Sequence, residues 1–284
     1  MKVKSTQFVC DPMFTGDKLY QKRARQVMPL LVRQATVQKS VYYKELAAEM
    51  GMPNARNLNF VLGSVGATLD ELNAKWGEKI PHIQSLVINK GSGLPGSGFF
   101  GGKDKYTKLT KMQRDAFIRG MWTDIFAYPK WDQVLKSLDL APAKPKLEKA
   151  IEGARQFYGG GESPQHKRFK NAIAANPTLV NLSPKCMLLN TEYRLPSGDA
   201  IDVCFAKGIH LYAVEVKSRL SGTDDIARGL FQCVKYQAIL DVWRNFEGNH
   251  GDVIMILALE TRLPAELIPL RNALQVKVID GIKI

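Results

Sequence analysis

Leu195 to Lys217 reads LPSGDAIDVCFAKGIHLYAVEVK. The apolar alternation predicts two β-strands joined by a short turn. Asp202 lies between Ile201 and Val203, with Phe205 beyond, which places it on the face opposite that apolar set. Val214 and Val216 point one way on the second strand, so Glu215 and Lys217 share the other side. If the strands pair, two carboxylates and one ammonium meet on one face of a sheet. Charges in apolar strands are costly unless they are paired or hold a metal. Asp199, after Ser197-Gly198, reads as a turn residue.

The flanking segments extend the pattern. Ser163 to Ala175, SPQHKRFKNAIAA, has helical spacing through Phe169, Ala172 and Ile173, and Asn176-Pro177 ends it. Cys186 to Tyr193 reads as a strand preceding the Asp202 strand. Thr223 to Phe246 predicts a long amphipathic helix with Ile226, Leu230, Val234 and Ile239 in its apolar stripe. Asp252 to Glu260, DVIMILALE, suits a strand buried on both sides. A shorter helix (Pro264 to Leu274) and a last strand (Gln275 to Ile279) close the chain. The order is α-β-β-β-α-β.

Asp202 followed by Glu215-Val216-Lys217, in that order of elements, resembles the PD-(D/E)XK nuclease superfamily, the fold of many restriction endonucleases. The resemblance covers roughly the last 120 residues of the chain. It implies phosphodiester hydrolysis with Mg²⁺ held by Asp202 and Glu215, Mn²⁺ substituting, and Lys217 acting on the attacking water or on phosphate charge. A lysine beside two carboxylates stays protonated unless the metal neutralises them, which favours the electrostatic role. Gln232 and Tyr236, spaced four apart with Arg228 on one helical face, match a Gln-x-x-x-Tyr pair that many members carry near the scissile phosphate. The resemblance also implies an upstream acid, for which Glu162 fits as a third metal ligand and Glu192 competes. A Glu-x-Lys triplet alone is common, and on the open face of an antiparallel strand it is only a solvated pair. The strand order, Asp202 and the Gln232/Tyr236 face argue against that reading, while for the helix pair itself a solvated face remains an open alternative.

Charge is unevenly distributed. The 284-residue chain carries a net +13. Residues 1–150 hold 24 Lys and Arg against 13 Asp and Glu, a net of +11, whereas residues 151–284 hold 16 against 14, a net of +2. A basic surface suits phosphate backbones, although solubilising charge alone would look the same.

The front half contains its own unit. Val27 to Val37 predicts an apolar helix after the basic QKRARQ segment. Ser40 to Gly51 predicts the first helix of a helix-turn-helix, stopped by Gly51. Asn54 to Val65 is the candidate recognition helix, with Arg56, Asn57 and Asn59. Ile80 to Gly102 predicts a strand and a glycine-rich hairpin, like the wing of a winged helix, with Lys90 and Lys103 as further contacts to nucleic acid. The run from Val41 to Gly98 is similar to the DNA-binding domain of alkylguanine-DNA alkyltransferases, with Arg56 at that family's helix-borne arginine. Here Ile80-Pro81 is followed by His82-Ile83-Gln84 in place of Cys-His-Arg. Without the nucleophilic cysteine, alkyl transfer is excluded and groove binding is what the resemblance implies.

Other chemistries find no support. The glycine-rich loop lacks the Gly-Lys-Ser/Thr ending of a P-loop. His82, His166, His210 and His250 are scattered, and Cys10, Cys186, Cys204 and Cys233 form no CxxC, which argues against zinc and a disulfide framework. No apolar leader segment or membrane-length run is present, so a soluble, cytoplasmic protein is expected.

The expected fold class is α/β: a restriction-endonuclease-like αβββαβ core with an amino-terminal, mainly α winged-helix domain. The expected domains are 1–105 (winged-helix-like), 106–155 (a helical linker region with Phe117, Trp122, Phe126, Tyr128 and Trp131) and 156–284 (nuclease). The expected function is a Mg²⁺-dependent endonuclease acting on double-stranded DNA, with a homodimer compatible. The alternatives are a catalytically silent nuclease fold serving as a docking module and an RNA nuclease.

Overall fold

A computed structural model of the chain describes residues 10–13, 16–100, 108–143 and 163–284. It divides into two compact units, Met1–Pro145 and Lys146–Ile284.

The first unit is helical. Helix α1 (Leu19–Thr36) buries Ala24, Val27, Met28, Leu31, Val32 and Ala35, the three- and four-residue spacing that gives a helix one apolar face. A two-residue strand β1 (Val41–Tyr42) leads into helix α2 (Tyr43–Glu49). Helix α3 (Leu58–Trp76) packs Leu58, Val61, Val65, Leu69 and Leu72 into the same core as α1. Gly77 terminates it in the left-handed conformation (φ 63°), which a glycine adopts without steric cost. Arg33 of α1 and Glu49 of α2 form a buried bidentate ion pair, with Nη2 2.9 Å from Oε2. Removing one partner would leave a buried charge, a loss of about 3–5 kcal/mol.

The expected recognition helix begins later than its sequence suggests. Arg56 and Asn57 lie on a 3₁₀ turn (Ala55–Asn57) capped by the Asn54 side chain, and only Asn59 is on α3. All three are exposed, as is Lys90. Strand β2 is only Val87–Ile88, and it pairs in parallel with β1. Among the described residues no returning strand makes a hairpin with it, so the expected wing is not formed there. The reason is compositional: GSGLPGSG has no β-branched or aromatic residue to sustain a ladder. The loop is instead closed locally, Asn89 N–H donating to Leu94 O at 2.9 Å and Gly93 N–H to Asn89 O at 2.9 Å.

Helices α4 (Lys111–Ala127) and α5 (Trp131–Ser137) complete this unit. Ile125, Trp131, Val134, Leu135 and Leu138 join its core, and Trp122 and Phe126 pack against it. The described part of the expected linker region is therefore integral to the first unit.

The second unit is a five-stranded mixed sheet between helices. Helix α6 (Pro164–Ala175) starts at Ser163, whose side chain accepts from His166 N–H, with Pro164 in the first turn. Strands β3 (Met187–Arg194), β4 (Ala200–Lys207) and β5 (His210–Lys217) form an antiparallel meander. Helix α7 (Thr223–Phe246) then crosses to β6 (Val253–Leu259), parallel to β5. Helix α8 (Ile268–Leu274) and strand β7 (Lys277–Ile279) follow, giving the sheet order β3-β4-β5-β6-β7.

One apolar layer joins Phe169 and Ile173 of α6 to Val203, Phe205, Val214, Val216, Ile256 and Ala258. The other joins Ile226, Leu230, Cys233 and Leu240 of α7 to Cys204, Leu211, Ala213, Leu257 and Leu259. Strand β6 is covered on both sides, which explains its unbroken apolar run. Val234, expected in the α7 stripe, is 41% exposed; Cys233 occupies the inward position instead. Among the described residues no helix is long and apolar enough to cross a membrane.

Candidate active site

The site forms at the ends of β4 and β5, beneath α7. Val214 and Val216 pack toward α6, which leaves Glu215 and Lys217 on the α7 side. Lys217 Nζ donates to Glu215 Oε1 at 3.1 Å and to Gln232 Oε1 at 3.2 Å, and stands 3.4 Å from Asp225 Oδ1. Gln232 in turn donates from Nε2 to the Tyr236 hydroxyl at 3.2 Å. The i, i+4 spacing on α7 thus brings Gln232 and Tyr236 together, although Tyr236 is buried. Arg228, one turn earlier, lies 3.6 Å from Asp225 Oδ1.

Asp202 is aimed differently from the simple alternation expected of its strand. Ile201 packs in the α7-side layer, whereas Val203 and Phe205 pack in the α6-side layer. The β4–β5 register runs from Lys207↔His210 up to Val203↔Val214. Beyond it the side chain takes over: Asp202 Oδ2 accepts from Val216 N–H at 2.7 Å. Its other oxygen stands 3.3 Å from His166 Nε2 on α6. Asp202 is 14% exposed, Glu215 6% and Lys217 9%, so the cluster is recessed while Asp202 retains access to solvent.

Low exposure sets the electrostatics. Burial, and then the charge of Asp202, push the Glu215 carboxyl up to about 7. Burial also acts to lower the Lys217 pKa, but Glu215 and Asp225 outweigh it and hold the ammonium above its ordinary range. Asp225 shows the opposite balance: burial works to raise it, and Lys217 pulls it below the usual carboxylate range. Burial and then Glu215 push the Tyr236 hydroxyl up to about 12. The acidic neighbours of Lys217 therefore favour its ammonium form.

Glu192 sits on β3 with φ 55°, left-handed backbone that is strained for a residue with a side chain. Its carboxylate is paired with Lys170 of α6. Glu162 and Lys103 lie outside the described residues. His166 and Asp225 belong to the cluster although neither stood out in sequence. Asp225 had a readable signal, since it precedes Arg228 by three and Gln232 by seven residues on one helical face. His166 had none.

Asp202 and Glu215 are hard oxygen donors of the kind Mg²⁺ and Mn²⁺ take, and such ions need only one or two carboxylates when phosphate and water complete the shell. Among the described residues no group of three or more His, Cys, Asp and Glu side chains is arranged to hold a metal by itself. Comparison with known proteins returns nothing: no family model, no curated protein and no solved structure matches the chain.

Proposed function

We propose that the second unit is a Mg²⁺-dependent DNA endonuclease of the PD-(D/E)XK, restriction-endonuclease-like type, and that the first unit binds duplex DNA. The observation that carries the reading is the triad itself: Lys217 held against Glu215 at the end of a central strand, with the Asp202 carboxylate bonded to the backbone N–H of Val216 between them. The element order α6-β3-β4-β5-α7-β6 supports it, as do Gln232 and Tyr236.

A divalent cation held by Asp202 and Glu215 would acidify a water and polarise the phosphoryl oxygens. The chain's own residues account for the rest. Lys217, protonated and held by acceptors on β5 and α7, offsets charge building on the phosphate without having to reorganise. Gln232 orients that ammonium, and Tyr236 fixes the amide of Gln232. The exposed Arg56, Asn57, Asn59 and Lys90 of the first unit supply side chains for phosphate and base edges.

Plasmid incubated with the full chain tests the reading. Cleavage should appear with Mg²⁺ or Mn²⁺, vanish in excess chelator, and fall by at least about 10²-fold in Asp202→Asn and Glu215→Gln while DNA affinity is kept. Wild-type cleavage by either variant, or cleavage in chelator, would refute it. The engagement of Lys217 with Glu215, Asp225 and Gln232 favours one second reading, a silent nuclease fold that serves as a docking module. In that case no cation supports cleavage although the first unit still binds DNA.

A further inference from the structure

His166 lies in the first turn of α6 and Asp202 lies 36 residues later on β4. We infer that His166 is a positioning residue of this site: it holds the Asp202 carboxylate in the orientation that receives a divalent cation. The inference rests on the nuclease reading above and extends it to a residue outside the acid-acid-lysine set.

Three observations converge on it. The two oxygens of Asp202 are held from different elements, Oδ2 by the β5 backbone at 2.7 Å and Oδ1 by the α6 imidazole at 3.3 Å. An ionised carboxylate only accepts, so Nε2 carries the proton of that bond. One hydrogen bond to each oxygen leaves further lone pairs for a cation, and the two together resist rotation of the carboxyl group.

The strand itself does not aim Asp202. Its neighbours Ile201 and Val203 pack into opposite layers. On the adjoining strand, Glu192 takes φ 55° between the pairs Thr191↔Val203 and Tyr193↔Ile201. With regular alternation interrupted there, side-chain partners must fix the direction.

Helix α6 is built to hold the imidazole in place. Lys170, four residues after His166 and therefore on the same face, is buried and pairs with Glu192. Gln165, beside His166, donates to both carboxylate oxygens of Glu260, at 2.8 and 3.0 Å. Polar contacts to β3 and to the end of β6 flank the one to Asp202, so α6 cannot slide along the sheet without breaking them.

Partners of this kind, hydrogen-bonded to a metal-ligating group, are worth about 10–100-fold in metal affinity. The test is Mn²⁺ binding by the full chain, measured by calorimetry, beside the Mn²⁺ dependence of plasmid cleavage, for wild type, His166→Ala and His166→Gln. His166→Ala should need about 10–100-fold more Mn²⁺ in both assays, the change falling on the half-saturating concentration more than on the maximal rate. His166→Gln, which keeps an N–H donor at similar reach, should recover most of the loss. Wild-type Mn²⁺ affinity in His166→Ala would overturn the inference while leaving the nuclease reading intact. So would a His166→Gln variant that melts like wild type yet binds as poorly as His166→Ala. A wild-type chain that neither binds Mn²⁺ nor cleaves removes the nuclease reading, and the inference falls with it.

Discussion

Gly229 of α7 leaves the space that the Lys217 stem occupies. A Cβ at Gly229 would stand 2.9 Å from Lys217 Cε and 2.9 Å from Leu257 Cδ1, closer than ordinary van der Waals contact. Glycine within a helix costs roughly 1 kcal/mol relative to alanine. Its presence here is explained by close approach of helix and strand, since no positive φ requires it.

Gly229→Ala is therefore expected to separate stability from activity. Helix propensity gains roughly 1 kcal/mol and crowding costs about 1–3 kcal/mol, so the variant loses at most about 2 kcal/mol of stability. Lys217, the more flexible neighbour, moves aside, and single-turnover cleavage drops by on the order of 10-fold or more, since about an ångström of misplacement is costly in catalysis. A variant that melts within a few degrees of wild type and cleaves at the wild-type rate would show that the placement of Lys217 is unimportant.

Lys217→Met keeps the stem and deletes the charge. The chemical step is expected to slow by on the order of 10²-fold or more, as when one electrostatic stabiliser is removed. Lys217→Arg should not restore it, because a guanidinium is larger, has a different donor geometry, and must fit the gap under Gly229. Single-turnover rates of the folded variants decide. Less than a few-fold change in both would mean that Lys217 only balances Glu215 and Asp225.

Glu215 should leave a signature in the pH dependence of stability of the metal-free protein. Its carboxyl is raised from an ordinary 4.5 to about 7 by burial and by Asp202. Between those values the folded state holds a proton that the unfolded state has lost, so stability falls as pH rises toward 7 and then levels. Glu215→Gln removes that titration. Its melting temperature relative to wild type should therefore climb across this window and stay constant above it. A pH-independent difference between the two proteins would contradict the raised pKa.

DNA binding by the first unit is testable through salt. Met1–Pro145 has its own core, and most of the chain's positive charge lies in its first half. The fragment is expected to bind duplex DNA, and with about four phosphate contacts its affinity should drop by on the order of 10²-fold between roughly 50 and 200 mM salt. Arg56→Ala should weaken it further. A fragment that is folded by circular dichroism yet shows no binding at low salt would leave the charge as surface solubility alone.

The element order of the second unit was legible along the chain. Side-chain periodicity and end signals are local properties of the chain, so Thr223–Phe246 appears with the expected bounds and β6 within a residue of them at each end. Local spacing also placed Glu215 and Lys217 on one side of a strand and Gln232 four residues from Tyr236. The rest came from packing between distant segments. It turned the Gly-rich stretch after Ile88 into a locally closed loop, put Val234 at the surface, and placed α4 and α5 in the first core. It brought His166 to Asp202 across 36 residues, through a helix pinned to a strand whose Glu192 is in a left-handed conformation. Contacts of that kind arise from the packing of distant segments and from backbone irregularities that no spacing along the chain records.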